Sequence, residues 1–410
     1  MSRRARPSTV ARREIALRTA LVTVLVASLW LIALPDRGEA ASGNVLFGAN
    51  PALVGGSRTA GVLELEALLG REMDLVRDFE RWDSQFPAPF HEDMIESDRL
   101  LVMSLRAKRK NGTKIKWADI ANAQPGDQLY DEMVGWVEGV RDLGVPVWFA
   151  FHHEPESAAS SGHGTDAEFK AAFQRFVDEF RDRGVTNVEF AWIMTSWSFE
   201  TSSTDARYAE KWYPGDDYVD HIGADTYNWD HCRDSTTDSW RKLEDTAEGQ
   251  RQFGLDHPDK GLFFGEIAST ELPGDNGAAK ANWINEVQDL LKQPGWEQFE
   301  AVSWFNVIDD SHADCLWPVD SSTAALNAWI EMGNDPFYGG DDGGSPATTT
   351  TQATTTTTNA STTTTVSSAT TTAPTTTTTT TTPPDRDRKK RAKCESPPCK
   401  RYNKWDGFHP

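Results

Sequence analysis

Two glutamates stand where they could act as a pair. Glu154 closes the run Val145-Pro-Val-Trp-Phe-Ala-Phe-His-His-Glu154, and Glu266 closes Gly261-Leu-Phe-Phe-Gly-Glu266. Each run is apolar enough to be a buried strand, so each would deliver a carboxylate at a strand's C-terminal end. Two carboxylates in different surroundings can divide the work of proton donor and of nucleophile or base. A carboxyl held among Trp148, Phe149 and Phe151 is partly desolvated, which favours its neutral form and suits Glu154 to the role of general acid. Gly265 lets backbone or ligand come close beside Glu266. Such chemistry needs no cofactor.

The segment Tyr213-Pro-Gly-Asp-Asp-Tyr-Val-Asp-His-Ile-Gly-Ala-Asp-Thr-Tyr-Asn-Trp229 carries further polar groups. Strand alternation sets Gly223, Asp225 and Tyr227 on one side. The Tyr227 hydroxyl could donate to a carboxylate and keep it ionised. His152, His153, Glu154 and Glu156 have the composition of a metal site. Adjacent strand residues point to opposite sides, however, and the spacing is not the i, i+4 pattern of a helical zinc motif, so no metal is expected. Trp82, Trp197, Trp229, Trp304 and Trp317 lie near expected strand ends. Each has an ordinary place in a core as its alternative, but together they favour a carbohydrate ligand, whose rings stack on aromatic faces.

The elements that must position these groups alternate in type. Strand-like runs are expected at Val45–Ala49, Met73–Phe79, Leu100–Leu105, Val145–His152, Val188–Met194, Val219–Asp225, Leu262–Glu266 and Ala301–Val307. Between them, Leu129–Leu143 and Glu168–Arg183 carry apolar residues at helical spacing, each followed by a glycine that can end the helix. Eight strands with helical crossovers in this length match one α/β domain of the (β/α)8 TIM-barrel type, whose active sites lie at the C-terminal face of the strands. The rival, a doubly wound open sheet, usually shows a Gly-rich loop after its first strand; here Ala49-Asn50-Pro51 follows instead.

Composition divides the rest of the 410 residues. Residues 1–41 read as a bacterial-type signal peptide: a basic stretch, an uncharged apolar run from Thr19 to Leu34, then small residues. Residues 42–338 are globular sequence. Residues 339–384 turn to Gly and then almost pure Thr, which cannot bury a core and reads as a disordered linker. Residues 385–410 form a short basic tail that could contact a cell wall or glycan. The net charge is −21 overall; the first segment carries +4 and the tail +5, which leaves −30 between them. That balance disfavours nucleic acid and anionic polymers as partners. No membrane partner is expected beyond export, and a monomer is expected. For an exported chain the four cysteines pair as Cys232–Cys315 and Cys394–Cys399.

Over roughly residues 44–335 the chain resembles glycoside hydrolase family 26, whose best-known members are secreted β-mannanases with a retaining mechanism. The marks are His153-Glu154 ending strand four, Glu266 closing strand seven, and Tyr-Pro-Gly-Asp-Asp-Tyr-Val-Asp followed by Tyr-Asn-Trp on strand six. The resemblance implies Glu154 as general acid/base, Glu266 as nucleophile and Tyr227 as the nucleophile's partner. It further implies His153 as a sugar-binding neighbour and Trp304 as an aromatic wall; Trp229, Trp197 and Trp82 are substrate-binding candidates from their places near strand ends alone. Pro155-Glu156 and the Ser/Gly/His-rich loop from Ser157 to Thr165 depart from familiar mannanases, so β-mannan is the first expectation, with mixed-linkage β-glucan and xylan open. The competing expectation is a secreted carbohydrate-binding protein that has lost hydrolysis on the same scaffold.

Overall fold

Parallel strands covered on both faces are apolar throughout, and each needs a crossover to return the chain to the bottom of the next. The computed structural model describes residues 45–233, 239–308 and 312–339. Eight strands close a parallel barrel in sequence order, β1 pairing with both β2 and β8. They are β1 (Leu46–Pro51), β2 (Leu75–Arg81), β3 (Leu100–Arg106), β4 (Val147–Phe151), β5 (Val188–Thr195), β6 (His221–Asn228), β7 (Gly261–Ser269) and β8 (Phe299–Asn306). The crossovers carry α1 (Arg58–Leu69), α2 (Pro89–Ile95), α3 (Trp117–Asn122), α4 (Gln128–Leu143), α5 (Asp166–Asp182), α6 (Ser196–Glu200), α7 (Ala209–Trp212), α8 (Leu243–Asp256) and α9 (Ala278–Leu290); α10 (Thr323–Gly333) follows β8. The expected strands are these strands, with ends displaced by up to three residues. The expected signal peptide, linker, tail and Cys394–Cys399 pair lie outside the described residues.

The core has two layers. Inside the barrel, Leu75, Val102, Trp148, Ala150, Ala191, Ile193, Phe263 and Ala301 pack together. Large and small side chains alternate there for a reason. Gly223 faces the barrel axis, and a Cβ on it would meet Phe263 at 2.7 Å and Ile193 at 2.8 Å. The second layer lies between strands and helices. Helix α5 shows why it forms. Thr165 caps its N-terminus with Glu168 closing a capping box, and Phe169, Phe173, Phe176 and Phe180 face inward. Burying each of these rings contributes roughly 2–3 kcal/mol.

The two barrel ends differ. At the N-terminal end His221 stacks on Trp148 with ring centres 3.8 Å apart, bonds Glu300 through Nδ1, and lies 3.0 Å from Glu189 through Nε2. This plug is built for closure. The C-terminal end collects Arg77, Arg106, His153, Glu154, Asp225, Tyr227 and Glu266, all but Tyr227 buried.

Candidate active site

Glu266 reaches the barrel interior through an irregularity. Ala224 of β6 pairs with Phe264 of β7, but the next residue, Asp225, pairs with Glu266, so β7 carries one extra residue at Gly265. Plain alternation from the inward Phe263 would turn Glu266 outward. The bulge resets the parity: Glu266 faces in, and Ile267 joins the outer core. Gly265 is needed at this point, because a Cβ there would lie 2.8 Å from Asp225 Oδ1 and 3.0 Å from Ile193.

Glu154 is positioned by a different device. Strand β4 ends at Phe151, and both His152 and Glu154 adopt the left-handed region, with φ of 53° and 48°. Non-glycine residues are held there only when their surroundings fix them. The Glu154 N–H donates to Ile193 O at 2.9 Å, and Ser160 Oγ donates to Glu154 O at 2.8 Å. His152 turns away from the mouth. Its Nδ1 accepts from Ala107 N at 3.2 Å and from Trp117 Nε1 at 3.3 Å, and its Nε2 donates to Ser160 Oγ at 3.0 Å. His152 therefore anchors the turn, while His153 and Glu154 face the site.

Around Glu266 the donors converge. The Tyr227 hydroxyl donates to Glu266 Oε2. Arg77 Nη2 lies 4.0 Å and His153 Nε2 3.9 Å from Oε1. Arg77 is fully buried on β2, its guanidinium carbon 4.3 Å from the centre of the Phe79 ring, and its Nε and Nη2 have no hydrogen-bond partner among the described residues. Both oxygens of buried Asp225 likewise have none. Buried polar atoms left open at a mouth are where a polar ligand would bind.

The electrostatics separate the carboxyls. Burial, then the charge of Glu266, then that of Glu156, push the Glu154 carboxyl well above the usual range, against Arg106 and Arg77. Asp225 is pushed up by burial and by Glu266 and Glu154. Tyr227 is pushed well above the usual phenol by burial and Glu266, so it stays a donor. Three close carboxyls cannot all ionise in one desolvated site. Arg77 acts on all three, but only Glu266 also accepts from the Tyr227 hydroxyl, which favours the charge there. Glu154 keeps its proton.

Metal-ligating atoms of His153, Asp225 and Glu266 lie within 4.8 Å of one another, as do those of Asp78, Glu80 and His91. The first group adjoins the buried Arg77 cation. In the second, Arg58 and His91 already neutralise the acids, with Arg58 2.5 Å from Asp78 and 2.7 Å from Glu80. Neither donor set favours a further cation.

The aromatic candidates divide. Trp229 is half-buried and packs with Tyr227 and Trp317 at centroid distances of 5.3 and 4.9 Å. Trp197 is 40% exposed on α6, with the Arg207 guanidinium 4.0 Å over its ring. Trp82 and Trp304 are each 1% exposed and sit in the layer between strands and helices. Trp82 donates to Glu132 at 2.8 Å; Trp304 donates to Trp317 O at 3.0 Å and packs on Trp283. Neither is open to a sugar. The inward ring on β8 is Phe305, 5.8 Å from Tyr227. A disulfide, Cys232–Cys315, ties the loop after β6 to the loop after β8 and so braces the Tyr227–Trp229–Trp317 wall. Buried Lys280 braces it from behind, donating to the carbonyls of Trp317 and Pro318 at 3.1 and 2.7 Å.

Arg77 and Arg106 were not among the sequence candidates. The signal was present, since alternation along Leu75–Arg81 and Leu100–Arg106 puts both on the barrel's inner face.

Residues 124–256 match the model of glycosyl hydrolase family 26. Endoglucanase H of Acetivibrio thermocellus is 26% identical over 285 residues, which cover 66% of this chain and 28% of that protein. The chain thus spans little more than a quarter of this relative's length. A modular endo-β-1,4-mannanase from Cellulomonas fimi superposes with a TM-score of 0.52 at 18% identity, covering 72% of this chain and 71% of that one. The catalytic domain of the family 26 endo-β-1,4-mannanase of Bacillus sp. JAMB-750 gives 0.52 at 16% identity, covering 72% and 86%. A family 26 β-mannanase from Bacteroides ovatus gives 0.50 at 18% identity, covering 72% and 90%. At such identities the structures speak to the barrel fold. Over residues 124–256 the chain is thus similar to glycosyl hydrolase family 26, and the solved structures share its barrel fold.

Proposed function

We propose that the chain is a secreted retaining glycoside hydrolase acting on a β-linked polysaccharide, with β-mannan the first substrate to test. The observation that carries this reading is a buried Glu154 carboxyl pushed well above the usual range beside a Glu266 that accepts from Tyr227 and has Arg77 Nη2 4.0 Å away. Glu266 attacks the anomeric carbon while Glu154 passes its proton to the leaving oxygen. The glycosyl–Glu266 ester then carries no charge, so a main cause of Glu154's raised pKa disappears. Glu154 becomes the base that activates water, and its proton returns as the ester breaks. Mixed-linkage β-glucan is a further candidate substrate, since the named relatives include an endoglucanase as well as mannanases, and xylan is screened beside it.

The test is a reducing-sugar screen of the chain on mannan, galactomannan, glucomannan, mixed-linkage β-glucan and xylan, with product stereochemistry followed by NMR. Retained anomeric configuration is expected. Glu154→Gln and Glu266→Gln should each lower turnover at least ~10³-fold while leaving the fold intact. A folded Glu266→Gln variant with near-normal turnover would overturn the assignment. Binding without any product from the unaltered chain would favour a carbohydrate-binding protein.

A further inference from the structure

The acidic domain carries a basic rim at the C-terminal end of its barrel. Arg106, Lys108, Arg109, Lys110, Lys114 and Lys116 fall within eleven residues at the end of β3 and in the loop beyond. Several hold the loop in place. Lys114 and Lys116 donate to Ser161 O and Gly162 O, and Arg109 pairs with Glu132 at 2.6 Å. Arg106 stands deeper in the mouth. It pairs in register with Arg81 across β2 and β3, and the Arg81 charge acts on its guanidinium. Like charges directly opposite on neighbouring strands are destabilising by themselves. Lys108 adds a third cation and makes no ion pair among the described residues. Its ammonium is pushed down by burial and by Arg106, Arg81 and Lys114.

The neighbouring cavity, about 600 Å³, is lined by Arg77, Phe79, Arg81 and Lys110 together with Asp78 and Glu80. Of its three acids, Asp78 and Glu80 are already taken by Arg58 and His91, and Asp93 accepts from Thr59 Oγ1 at 2.7 Å. Arg106 also faces Glu154, so the cationic group borders the acid/base.

We propose that Arg81, Arg106 and Lys108 form a subsite for an anionic substituent, a carboxylate or a phosphate, on the sugar chain held in the cleft. This rests on the glycosidase reading above. Paired guanidiniums match the geometry of both anions. An acidic group bound there would relieve the like-charge contact, and the long-range repulsion of the acidic domain would be screened at ordinary salt. The substrate class is then a decorated acidic β-glycan in place of a plain neutral one.

The test uses the full chain on matched glycans: xylan with and without glucuronate side groups for the carboxylate, and mannan with and without mannosyl phosphate for the phosphate. Binding of the same polymers to Glu266→Gln is measured alongside. In at least one pair the acidic member should be preferred in kcat/KM by about tenfold or more, the size of one charge-assisted hydrogen bond. KM for that member should rise with salt. Arg81→Met and Lys108→Met, checked for folding by circular dichroism, should each narrow the preference. Preference in one pair alone identifies the anion. Neutral members turned over or bound as well as, or better than, their acidic partners would overturn the subsite and leave the glycosidase reading standing. No turnover and no binding of any polymer would remove both.

Discussion

At the scale of single residues, the site is a problem of which carboxyl keeps its proton. Burial and the Glu266 charge hold Glu154 protonated, while Arg106 and Arg77 pull the other way. The alkaline limb of the kcat/KM profile should therefore report Glu154. Removing the opposing cation with Arg106→Met should move that limb to higher pH; a limb that stays put or moves down would contradict the assignment. The main actors are visible in the sequence because a charged residue closing an apolar run, as at Glu154 and Glu266, has little to gain there from packing alone. Tyr227 was legible from alternation alone. Arg77 carried the same alternation signal but was passed over, because an arginine two residues into a strand reads as an edge or surface position until barrel closure buries it. Trp82 and Trp304 went the other way. Nearness to a strand end does not say which face a ring takes, and both rings face the helices.

Among the elements, β7 decides the site. Period-2 reasoning finds the strand but places Glu266 on its wrong face, since the register shift at Gly265 leaves no mark in the sequence beyond the glycine itself. Gly265→Ala should crowd Asp225 and Ile193, costing about 1–3 kcal/mol in stability. It should also lower kcat more than it raises KM, measured by chemical denaturation and steady-state kinetics. The loops after β6 and β8 form the second decisive pair. Their disulfide closes a segment with a sequence separation of 83. Replacing both cysteines with alanine should lower stability by roughly 4–5 kcal/mol on the chain-entropy account. It should raise KM as the Trp229 wall loosens. Unchanged KM would mean that Lys280 holds the wall without help. The pairing of Cys232 with Cys315 was legible from counting cysteines. The bracing of an aromatic wall was not, because it depends on which loops meet in space.

For the whole molecule, stability should respond to pH through buried ion pairs outside the Glu154–Glu266 pair. His91 is raised to about 9 by Asp78 and Glu80 against its burial, and Asp78 is lowered to about 2 by Arg58 and His91. A raised histidine contributes in full below its unfolded value of 6.5 and loses that contribution as pH rises through 9. A lowered aspartate contributes above 3.8 and loses it as pH falls through 2. The difference in Tm between the native chain and His91→Gln should thus be largest between about pH 4 and 6.5 and shrink toward pH 9. His221, also raised to about 9, closes the barrel's other end and should give its own variant the same signature. The barrel as a whole was legible because eight apolar runs alternate with amphipathic ones over the right length. Its charge pattern was not, since a sum of −30 conceals a basic rim. The Cys232–Cys315 link has one more consequence, for survival among proteases. Every residue between the two cysteines, the whole of β7 and Glu266 included, lies inside a covalently closed ring. A single backbone cut in that ring opens it without detaching anything, so a nicked molecule would keep both Glu154 and Glu266.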